Sequence, residues 1–319
     1  MSKFNEKKYL DANPDVREAI SQGKFLNGLD HYKKFGIKEN RNFVKKLSRF
    51  DKVFAKLDKA GLGIEIGPSH NPIAPKKLGF NVHILDHACA EDLKKKYKNH
   101  GVQIENIEEV DYIWKGEPFE SLVGKKNHYD WIIASHVIEH IPDTISFLKH
   151  CDSILKNDGK LSLVIPDKRF CFDYFLPLSS TGNIIDAFEN KNIRPSSGQI
   201  FDAFANSVKK GNEIAWSKDF VGLPDTLIHN FSDAKRNIQE HKNNSEYVDV
   251  HCWRFVPSSF CLIISDLFNL NLTNFEIIQF YETEGCEFYV TLAKRKKIKK
   301  SFHNDRLSQL INIDREFNW

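Results

Sequence analysis

Short apolar runs recur along the middle of the chain and alternate with amphipathic segments. The apolar runs cover residues 62–67, 80–86, 107–114, 129–135 and 159–167. Residues 90–100 and 144–157 lie between them and carry apolar side chains at helical spacing. Apolar strands that alternate with helices are typical of βαβ units, whose strands form a buried parallel sheet. The pattern therefore predicts an α/β fold.

A second group of regular segments lies near the end of the chain. Residues 257–270 have the spacing of a helix, and residues 275–283 and 286–294 are strand-like. Only Glu284 and Gly285 separate the two strand-like runs, which is typical of a β-hairpin. The five earlier strands and this hairpin together predict one seven-stranded sheet.

The remaining segments divide the chain into five parts. Residues 1–42 predict a small helical module, in which Asn13 caps a helix that Pro14 opens. Residues 43–60 have the apolar spacing of an amphipathic helix, which begins an α/β half over residues 43–167. Residues 168–256 lose the alternation and predict a largely helical insertion. Residues 257–294 complete the sheet, and residues 295–319 form a basic, amphipathic tail.

Composition and charge narrow the classes of function. The chain has 319 residues, of which 41% are hydrophobic and 28% charged, as in a globular protein. It has no apolar run long enough for a membrane span and no apolar segment typical of a secretory signal. A net charge of +3 is too small to indicate a nucleic-acid surface. The basic run of the tail is interpreted as a solvated face, with peripheral binding to a phosphate-bearing partner or membrane as the alternative.

The cysteines indicate a reducing compartment. Six of them are scattered along the chain, and none forms a C-x-x-C pair. This pattern favours reduced thiols and a cytoplasmic location over a disulfide framework or a zinc ribbon.

A glycine turn and an acidic residue predict a nucleoside site at the ends of the first two strands. The first strand ends in E-I-G-P-S, and the second ends in Asp86, nineteen positions after Gly67. In open α/β sheets an acidic residue at this spacing binds the ribose hydroxyls, and glycine lets the backbone approach the ligand. The loop lacks G-x-G-x-x-G and contains several prolines, so it offers few N–H groups to a pyrophosphate. A nucleoside without phosphates fits better.

Four motifs in order give the chain a family resemblance. They are E-I-G at residues 65–67, Asp86, V-D-Y at residues 110–112 and D-x-I-x-x-x-x-V-x-E-H at residues 130–140. At this spacing, over about residues 60–294, the chain resembles the class I S-adenosylmethionine-dependent methyltransferases, and within them a bacterial subgroup associated with surface-glycan genes. The loop after Gly67 departs from the usual E-x-G-x-G-x-G of the family. The resemblance implies a Rossmann-like seven-stranded sheet and S-adenosylmethionine as the cofactor.

The resemblance also implies roles for individual residues. Seven residues at the strand ends would bind the cofactor: Glu65, Gly67, Pro68, Asp86, Asp111, Ser135 and His136. Glu65 and Gly67 would lie near the methionine moiety, and Asp86 would hold the ribose. Asp111 would lie by the adenine, with a turn residue at the strand end as its alternative. The insertion would bind the methyl acceptor.

The spacing H-x-x-E-H of His136, Glu139 and His140 leaves three interpretations open. On a helix the three side chains share one face. A hydrolytic zinc helix would need a further, distant ligand. A divalent-metal site, as in some quinone-forming methyltransferases, would have His136 in place of a carboxylate. In the third, which we favour, His136 faces the cofactor or substrate while the other two brace the loop. Because the sequence shows no clear further ligand, we predict that no metal is needed.

Further candidates follow from the chemistry of methyl transfer to a hydroxyl group. Such an acceptor gives up a proton, so a base is useful. The candidate catalytic residues are His136, Asp167 and His251. Five residues of the insertion have side chains suited to a sugar or an anionic group, with an ordinary structural role as the alternative for each. They are Lys168, Arg169, Asp173, His229 and Trp253.

Three functions remain open. The first, which we favour, is O-methylation of a sugar or glycan-linked group in the biosynthesis of bacterial cell-surface polysaccharide. The second is a non-catalytic methyltransferase-like protein that binds a glycan or a partner enzyme, which the altered glycine loop would favour. The third is a metallohydrolase.

Overall fold

The structure, a computed structural model, describes residues 4–41, 47–295 and 303–317. The chain divides into two compact units, Met1–Lys52 and Val53–Trp319. The predicted end of the N-terminal module, residue 42, lies within the first unit and outside the described residues. None of the helices in the described ranges is long and apolar enough to cross a membrane.

The first unit is built from short helices, Glu6–Ala12 (α1), Pro14–Ser21 (α2) and Gly28–His31 (α3). As predicted, Pro14 opens a helix and Asn13 precedes it, although the Asn13 side chain donates to the carbonyl of Tyr9 instead of capping. The hydroxyl of the fully buried Tyr9 lies 2.9 Å from Nδ1 of His31. Helices this short depend on such tertiary contacts for stability.

Only a short part of the predicted amphipathic helix 43–60 is present in the described residues 47–60. Residues 42–46 lie outside the described residues, and the rest forms only Arg49–Val53 (α4) followed by turns. Phe54 is buried against the rings of Phe80 and Trp131. The apolar side chain of Phe54 is therefore buried although the segment around it consists of turns and not of a long helix.

The predicted alternation of strands and helices opens the second unit. Its first elements are Gly63–Ile66 (β1), Val82–Asp86 (β2), Ala90–Tyr97 (α5), Tyr112–Ile113 (β3), Phe119–Val123 (α6), Tyr129–Ser135 (β4), Thr144–Ile154 (α7) and Leu155–Pro166 (β5). All five predicted strands are present. β3 is limited to two residues because it lies at the edge of the sheet and its run contains several acidic residues. β5 begins at Leu155, before the predicted apolar run 159–167, and its pairing with β4 is irregular over residues 156–159.

The other elements belong to the insertion and to the end of the chain. They are Thr181–Glu189 (α8), Ser197–Asn206 (α9), Val208–Lys209 (β6), Thr226–Leu227 (β7), Phe231–Asn243 (α10), Pro257–Asn269 (α11), Phe275–Glu284 (β8), Glu287–Lys294 (β9) and His303–Phe317 (α12). Helices α8, α9 and α10 agree with the predicted helical insertion, and each begins with a capping box. β6 and β7 form a small antiparallel sheet that the sequence pattern did not predict.

The main sheet has seven strands in the order β3-β2-β1-β4-β5-β9-β8. The strands from β3 to β5 are parallel, whereas β9 is antiparallel to β5 and β8 is antiparallel to β9. β8 and β9 are the predicted hairpin, with Gly285 at a φ of +67° in its turn. This Rossmann-like α/β sheet confirms the predicted fold class. Its strand order reverses between β1 and β4, the point where such sheets bind ligands.

The central strand β4 anchors the sheet in the core. Trp131, Ile132 and Ile133 have no exposed surface. Gly63 of β1 makes room for the indole, since a Cβ atom at this position would lie 2.2 Å from the ring of Trp131. A strand buried on both faces reads as a continuous apolar run. The sheet is therefore a rigid base for the loops at its carboxyl edge.

Candidate active site

The parallel strands bring five chain reversals together at the carboxyl edge of the sheet. They follow Ile66, Asp86, Ile113, Ser135 and Pro166, the last residues of β1 to β5. The register aligns these ends, because Ile66 of β1 pairs with residues next to the ends of β2 and β4. Residues that follow these strands are therefore the candidates for a binding site.

Buried contacts fix the loop after β1. Gly67 has a φ of +62°, and a Cβ atom there would lie 2.9 Å from Cγ2 of Val137. The buried carboxylate of Glu65 accepts the N–H groups of Ile73 at 2.7 Å and Ala74 at 2.9 Å. Pro68 accepts a hydrogen bond from the N–H group three residues later in the same loop. The Glu65 carboxylate thus holds the loop itself, whereas contact with the methionine moiety was predicted for this residue.

Asp86 ends β2 next to this loop. Its Oδ2 accepts the N–H of Ser69 at 3.2 Å, and its Oδ1 accepts the N–H of His87 at 2.7 Å. Nδ1 of His87 also lies 2.7 Å from Oδ1. An ionised carboxylate has about four lone-pair directions, so these contacts do not exhaust its acceptor capacity. Asp86 therefore lies at the strand tip where its spacing from Gly67 predicted a ribose contact.

The third strand presents an apolar side chain where an acidic one was predicted. Asp111 precedes β3, and its carboxylate accepts the N–H of Ile84 at 2.7 Å and lies 2.6 Å from Nζ of Lys76. This position is set back from the carboxyl edge, so the geometry favours a structural role for Asp111 over the predicted adenine contact. Ile113 is in register with Asp86 and is 39% exposed. Its side chain offers an apolar surface beside Asp86.

His136 directly follows Ser135 at the end of β4. It has a φ of +54°, and only Ile138–His140 forms a single turn of 3-10 helix. The three side chains of His136, Glu139 and His140 therefore do not share the face of one helix, because a residue with left-handed backbone angles cannot continue a right-handed helix. Nε2 of His136 lies 2.8 Å from Oε2 of Glu287 in β9.

Asp167, a predicted base, lies in a buried ion pair. Its carboxylate is fully buried and lies 2.5 Å from Nη2 of Arg169. Nε of Arg169 donates to it at 2.9 Å, and the hydroxyl of Thr283 donates at 2.7 Å. Each group satisfies the other inside the protein. The geometry therefore supports a structural role for both residues over the predicted catalytic role of Asp167 and acceptor-binding role of Arg169.

Three further predicted acceptor residues are engaged elsewhere. Nζ of Lys168 donates to a backbone carbonyl at 2.7 Å, and burial lowers the pKa of this amine. Trp253 is 4% exposed, and its indole N–H donates to a backbone carbonyl at 2.7 Å, so it offers no open ring face to a sugar. The ring of His229 packs against Phe204 of α9 with centroids 4.8 Å apart. The burial and internal contacts of Lys168 and Trp253 argue against the predicted roles, whereas His229 is only half-buried.

His251 and Asp173 form a buried pair near the end of β4. Nδ1 of His251 lies 2.5 Å from Oδ2 of Asp173, and both residues are buried. Burial by itself raises the pKa of Asp173, but the neighbouring charges of His251 and Arg254 outweigh it and hold the pKa below its usual value. The ionised carboxylate fixes the imidazole ring with Nε2 directed towards Glu139, 3.9 Å from Oε1. A carboxylate that orients an imidazole is an arrangement typical of a general base.

The last segment of the insertion is attached to the loop after β4. Two of its backbone N–H groups, at positions 252 and 253, donate to the carbonyl of Glu139 at 2.7 and 3.1 Å. Asp249 lies 2.9 Å from Nδ1 of His140. The sequence showed Asp249 two positions before His251, but its partner His140 is remote along the chain, so this contact was not predicted. The fold thus places His251 at the carboxyl edge of the sheet.

Comparison with known proteins adds a family to this geometry. A family model described as a methyltransferase domain matches residues 35–212, more than half of the chain. A ubiquinone biosynthesis O-methyltransferase from Xanthomonas oryzae pv. oryzae is 31% identical over 119 residues, which cover 36% of this chain and 47% of that protein. The chain thus matches about half the length of these curated relatives.

Solved structures of similar proteins include two methyltransferases. A SAM-dependent methyltransferase from Methanosarcina mazei is 12% identical, with a TM-score of 0.39 over 79% of this chain and 100% of that one. The CcbJ methyltransferase from Streptomyces caelestis is 11% identical, with a TM-score of 0.37 over 78% and 97%. On the family match and the strand order, the chain belongs to the methyltransferase domain family and carries a class I S-adenosylmethionine-dependent methyltransferase domain.

Proposed function

We propose that the protein transfers a methyl group from S-adenosylmethionine to a hydroxyl group of a sugar or glycan-linked acceptor in the biosynthesis of bacterial surface polysaccharide. The observation that carries the proposal is the buried Asp173–His251 pair, held against the loop after β4. The cofactor supplies an electrophilic methyl group on a sulfonium. The protein must align an acceptor oxygen with that group and remove its proton. In this proposal the centre formed by His251 and Glu139 receives the acceptor hydroxyl.

The carboxyl edge of the sheet supports a division of roles for the cofactor. Asp86 accepts hydrogen bonds from the ribose, and Ile113 packs against the adenine. The backbone at Gly67 and Pro68 lies along the methionine moiety, while Glu65 positions that loop. Ser135 and His136 line the pocket at the end of β4. These residues fit a nucleoside that carries no phosphate, because the loop has few free N–H groups.

A polar hollow in the insertion supports a hydroxyl-rich acceptor. It has a volume of about 320 Å³ and is bordered by Cys252, Trp253 and Arg254, the residues that follow His251. Amide and carboxylate side chains form much of its wall: Asn183, Asp186, Asn190, Asn192, Gln199 and Asp202. Most small-molecule pockets are mainly apolar, so this lining favours a ligand with many hydrogen-bonding groups. The curated relatives are named as O-methyltransferases, which supports oxygen as the acceptor atom.

The proposal that the protein acts in glycan biosynthesis rests on the resemblance of its sequence to the surface-glycan subgroup. We also propose a cytoplasmic location, because the six cysteines are scattered along the sequence without a C-x-x-C pair, as is common in proteins of a reducing compartment. A methyl-transfer screen tests the acceptor class. S-adenosylmethionine with a labelled methyl group is incubated with nucleotide sugars, extracted surface polysaccharide and, as the comparison, a phenolic ubiquinone precursor. Label in the sugar fractions is the expected result, and label only in the phenol would overturn the sugar assignment.

We expect Asp86→Ala to weaken binding of S-adenosylmethionine and S-adenosylhomocysteine by about one to two decades. The loss of a charged acceptor for the ribose hydroxyls costs roughly 1.5–3 kcal/mol. Calorimetric titration of each ligand measures the effect. Asp111→Asn is the matched control and should change the affinity by less than about threefold, because the carboxylate of Asp111 is held by Ile84 and Lys76.

Two outcomes would contradict this assignment. If both substitutions weakened ligand binding equally, the result would support the predicted contact between Asp111 and the adenine. A wild-type chain that binds neither ligand would support the alternative of a non-catalytic methyltransferase-like protein that binds a glycan or a partner enzyme.

A further inference from the structure

Glu139 is a buried carboxylate that lacks the hydrogen bonds such a group requires. Its side chain has no exposed surface. Among the described residues, no hydrogen-bond donor reaches either of its oxygens. Burying a carboxylate is unfavourable unless donors or a cation compensate its charge. The sequence predicted that Glu139 braces the loop, yet only its backbone carbonyl does so.

Three histidines lie around this carboxylate at similar distances. From Oε1 of Glu139, Nδ1 of His136 lies 3.6 Å away, Nε2 of His251 lies 3.9 Å away and Nε2 of His140 lies 4.0 Å away. These distances are too long for hydrogen bonds. Two ligands of one ion of the Zn²⁺ type lie about 3–4 Å apart, since each is about 2 Å from the ion. The ligand atoms of Glu139, His140 and His251 all lie within 4.8 Å of one another.

Each of these histidines has a carboxylate at its other ring nitrogen. Nδ1 of His251 lies 2.5 Å from Oδ2 of Asp173. Nδ1 of His140 lies 2.9 Å from Oδ1 of Asp249. A carboxylate behind the ring fixes the tautomer with the proton on that side and turns the opposite nitrogen, as a lone-pair donor, towards the centre.

The third histidine has the same arrangement. Nε2 of His136 lies 2.8 Å from Oε2 of Glu287. Protein ligands of metal ions have outer partners of this kind, whereas histidines that only neutralise a carboxylate would contact it directly.

We propose that Glu139, His140 and His251 bind a divalent transition-metal ion of the Zn²⁺ class, with His136 placed to be a fourth ligand. Imidazole nitrogens favour Zn²⁺, Fe²⁺ or Co²⁺ over Mg²⁺ and Ca²⁺, which prefer oxygen ligands. The sequence predicted no metal because a further ligand was missing. The fold supplies it in His251, from the far end of the insertion.

The catalytic role of the ion rests on the proposed function. The acceptor hydroxyl binds the ion and its pKa falls, so that its proton leaves to solvent. The oxygen then forms a bond to the methyl carbon as the bond from carbon to the sulfonium sulfur breaks, and S-adenosylhomocysteine leaves. His251 then acts as a ligand of the ion, and Asp173 positions it.

Metal binding is tested on the full chain without an affinity tag, stripped with a chelator and dialysed. Calorimetric titration with ZnCl₂ should show one ion per chain, and CoCl₂ should produce the visible absorption of Co²⁺ with nitrogen ligands. MgCl₂ should show no comparable binding. Glu139→Gln and His251→Ala should each weaken Zn²⁺ binding at least about 100-fold, and the outer-partner variant Asp249→Asn about 10-fold. The exposed His100, changed to alanine, is the matched control and should bind Zn²⁺ as the wild type does.

Two independent measurements keep the outcomes distinct. Titration with S-adenosylhomocysteine reports whether each variant is folded, and we expect affinities within about threefold of wild type, because the ligands lie on the acceptor side. Absence of Zn²⁺ binding, or unchanged binding in both Glu139→Gln and His251→Ala, would overturn the metal site. Full-rate methyl transfer by the stripped chain would overturn the catalytic role of the ion. The Zn²⁺ titration needs no acceptor, so failure of the metal site is distinguishable from failure of the proposed function.

Discussion

Replacing His251 with alanine should lower the turnover of methyl transfer about 100-fold or more and leave the affinity for S-adenosylmethionine within about threefold. The imidazole is buried and Asp173 fixes its orientation; in our proposal it lies on the acceptor side of the carboxyl edge. Its loss removes the group that handles the acceptor proton, either directly or as a ligand of an ion. The cofactor contacts lie on other strand ends, so the complex with cofactor alone should form as before.

Asp173→Asn should give a smaller effect, with turnover reduced about 10- to 100-fold. The amide keeps the shape of the carboxylate but no longer favours the ring orientation that directs Nε2 towards Glu139. Because Asp173 does not touch the acceptor in our proposal, the loss should appear in kcat more than in KM. Asp225→Asn, an exposed carboxylate of the same insertion, is the control and should change neither.

The measurement uses labelled S-adenosylmethionine and the acceptor fraction found in the screen, together with calorimetric titration of the cofactor alone. If His251→Ala and Asp173→Asn also lost cofactor binding, the insertion would be a lid over the nucleoside. Our division between cofactor and acceptor sides would then be wrong.

Asp167→Ala should destabilise the second unit by about 3 kcal/mol, because it leaves the guanidinium of Arg169 without its buried partner. For a unit of this size the melting temperature should fall by roughly 6–12 °C. Asp167 also accepts the hydroxyl of Thr283 in β8, so the substitution removes a link between the end of β5 and the hairpin. Thermal unfolding followed by circular dichroism measures the change.

A surface ion pair provides the control for this prediction. Asp92 and Lys95 lie 3.3 Å apart with both side chains largely exposed, so Asp92→Ala should shift the melting temperature by no more than about 1 °C. A catalytic Asp167 would instead give a stable variant with low turnover. An Asp167→Ala protein as stable as the wild type would therefore contradict the structural role that we assign to this residue.

The sequence alone predicted the sheet and the position of Asp86 at its carboxyl edge. Apolar runs bounded by turns predicted five parallel strands and a hairpin, because strands buried on both faces need continuous apolar residues. The spacing from Gly67 to Asp86 also predicted an acidic group at the tip of the second strand. A strand, a turn and a helix occupy about that length of chain. Such features depend on residues that are near one another in sequence.

The tertiary structure alone decided which polar residues pair internally and which come together beside the loop after β4. Asp167 and Trp253 have chemistry suited to a site, but both are buried and bonded to distant segments of the chain. Conversely, Glu139 and His251 are far apart in sequence, and only the path of the insertion brings them within 3.9 Å. A side chain's availability depends on its desolvation and on the partners left to it. Both are set by long-range packing that no local pattern encodes.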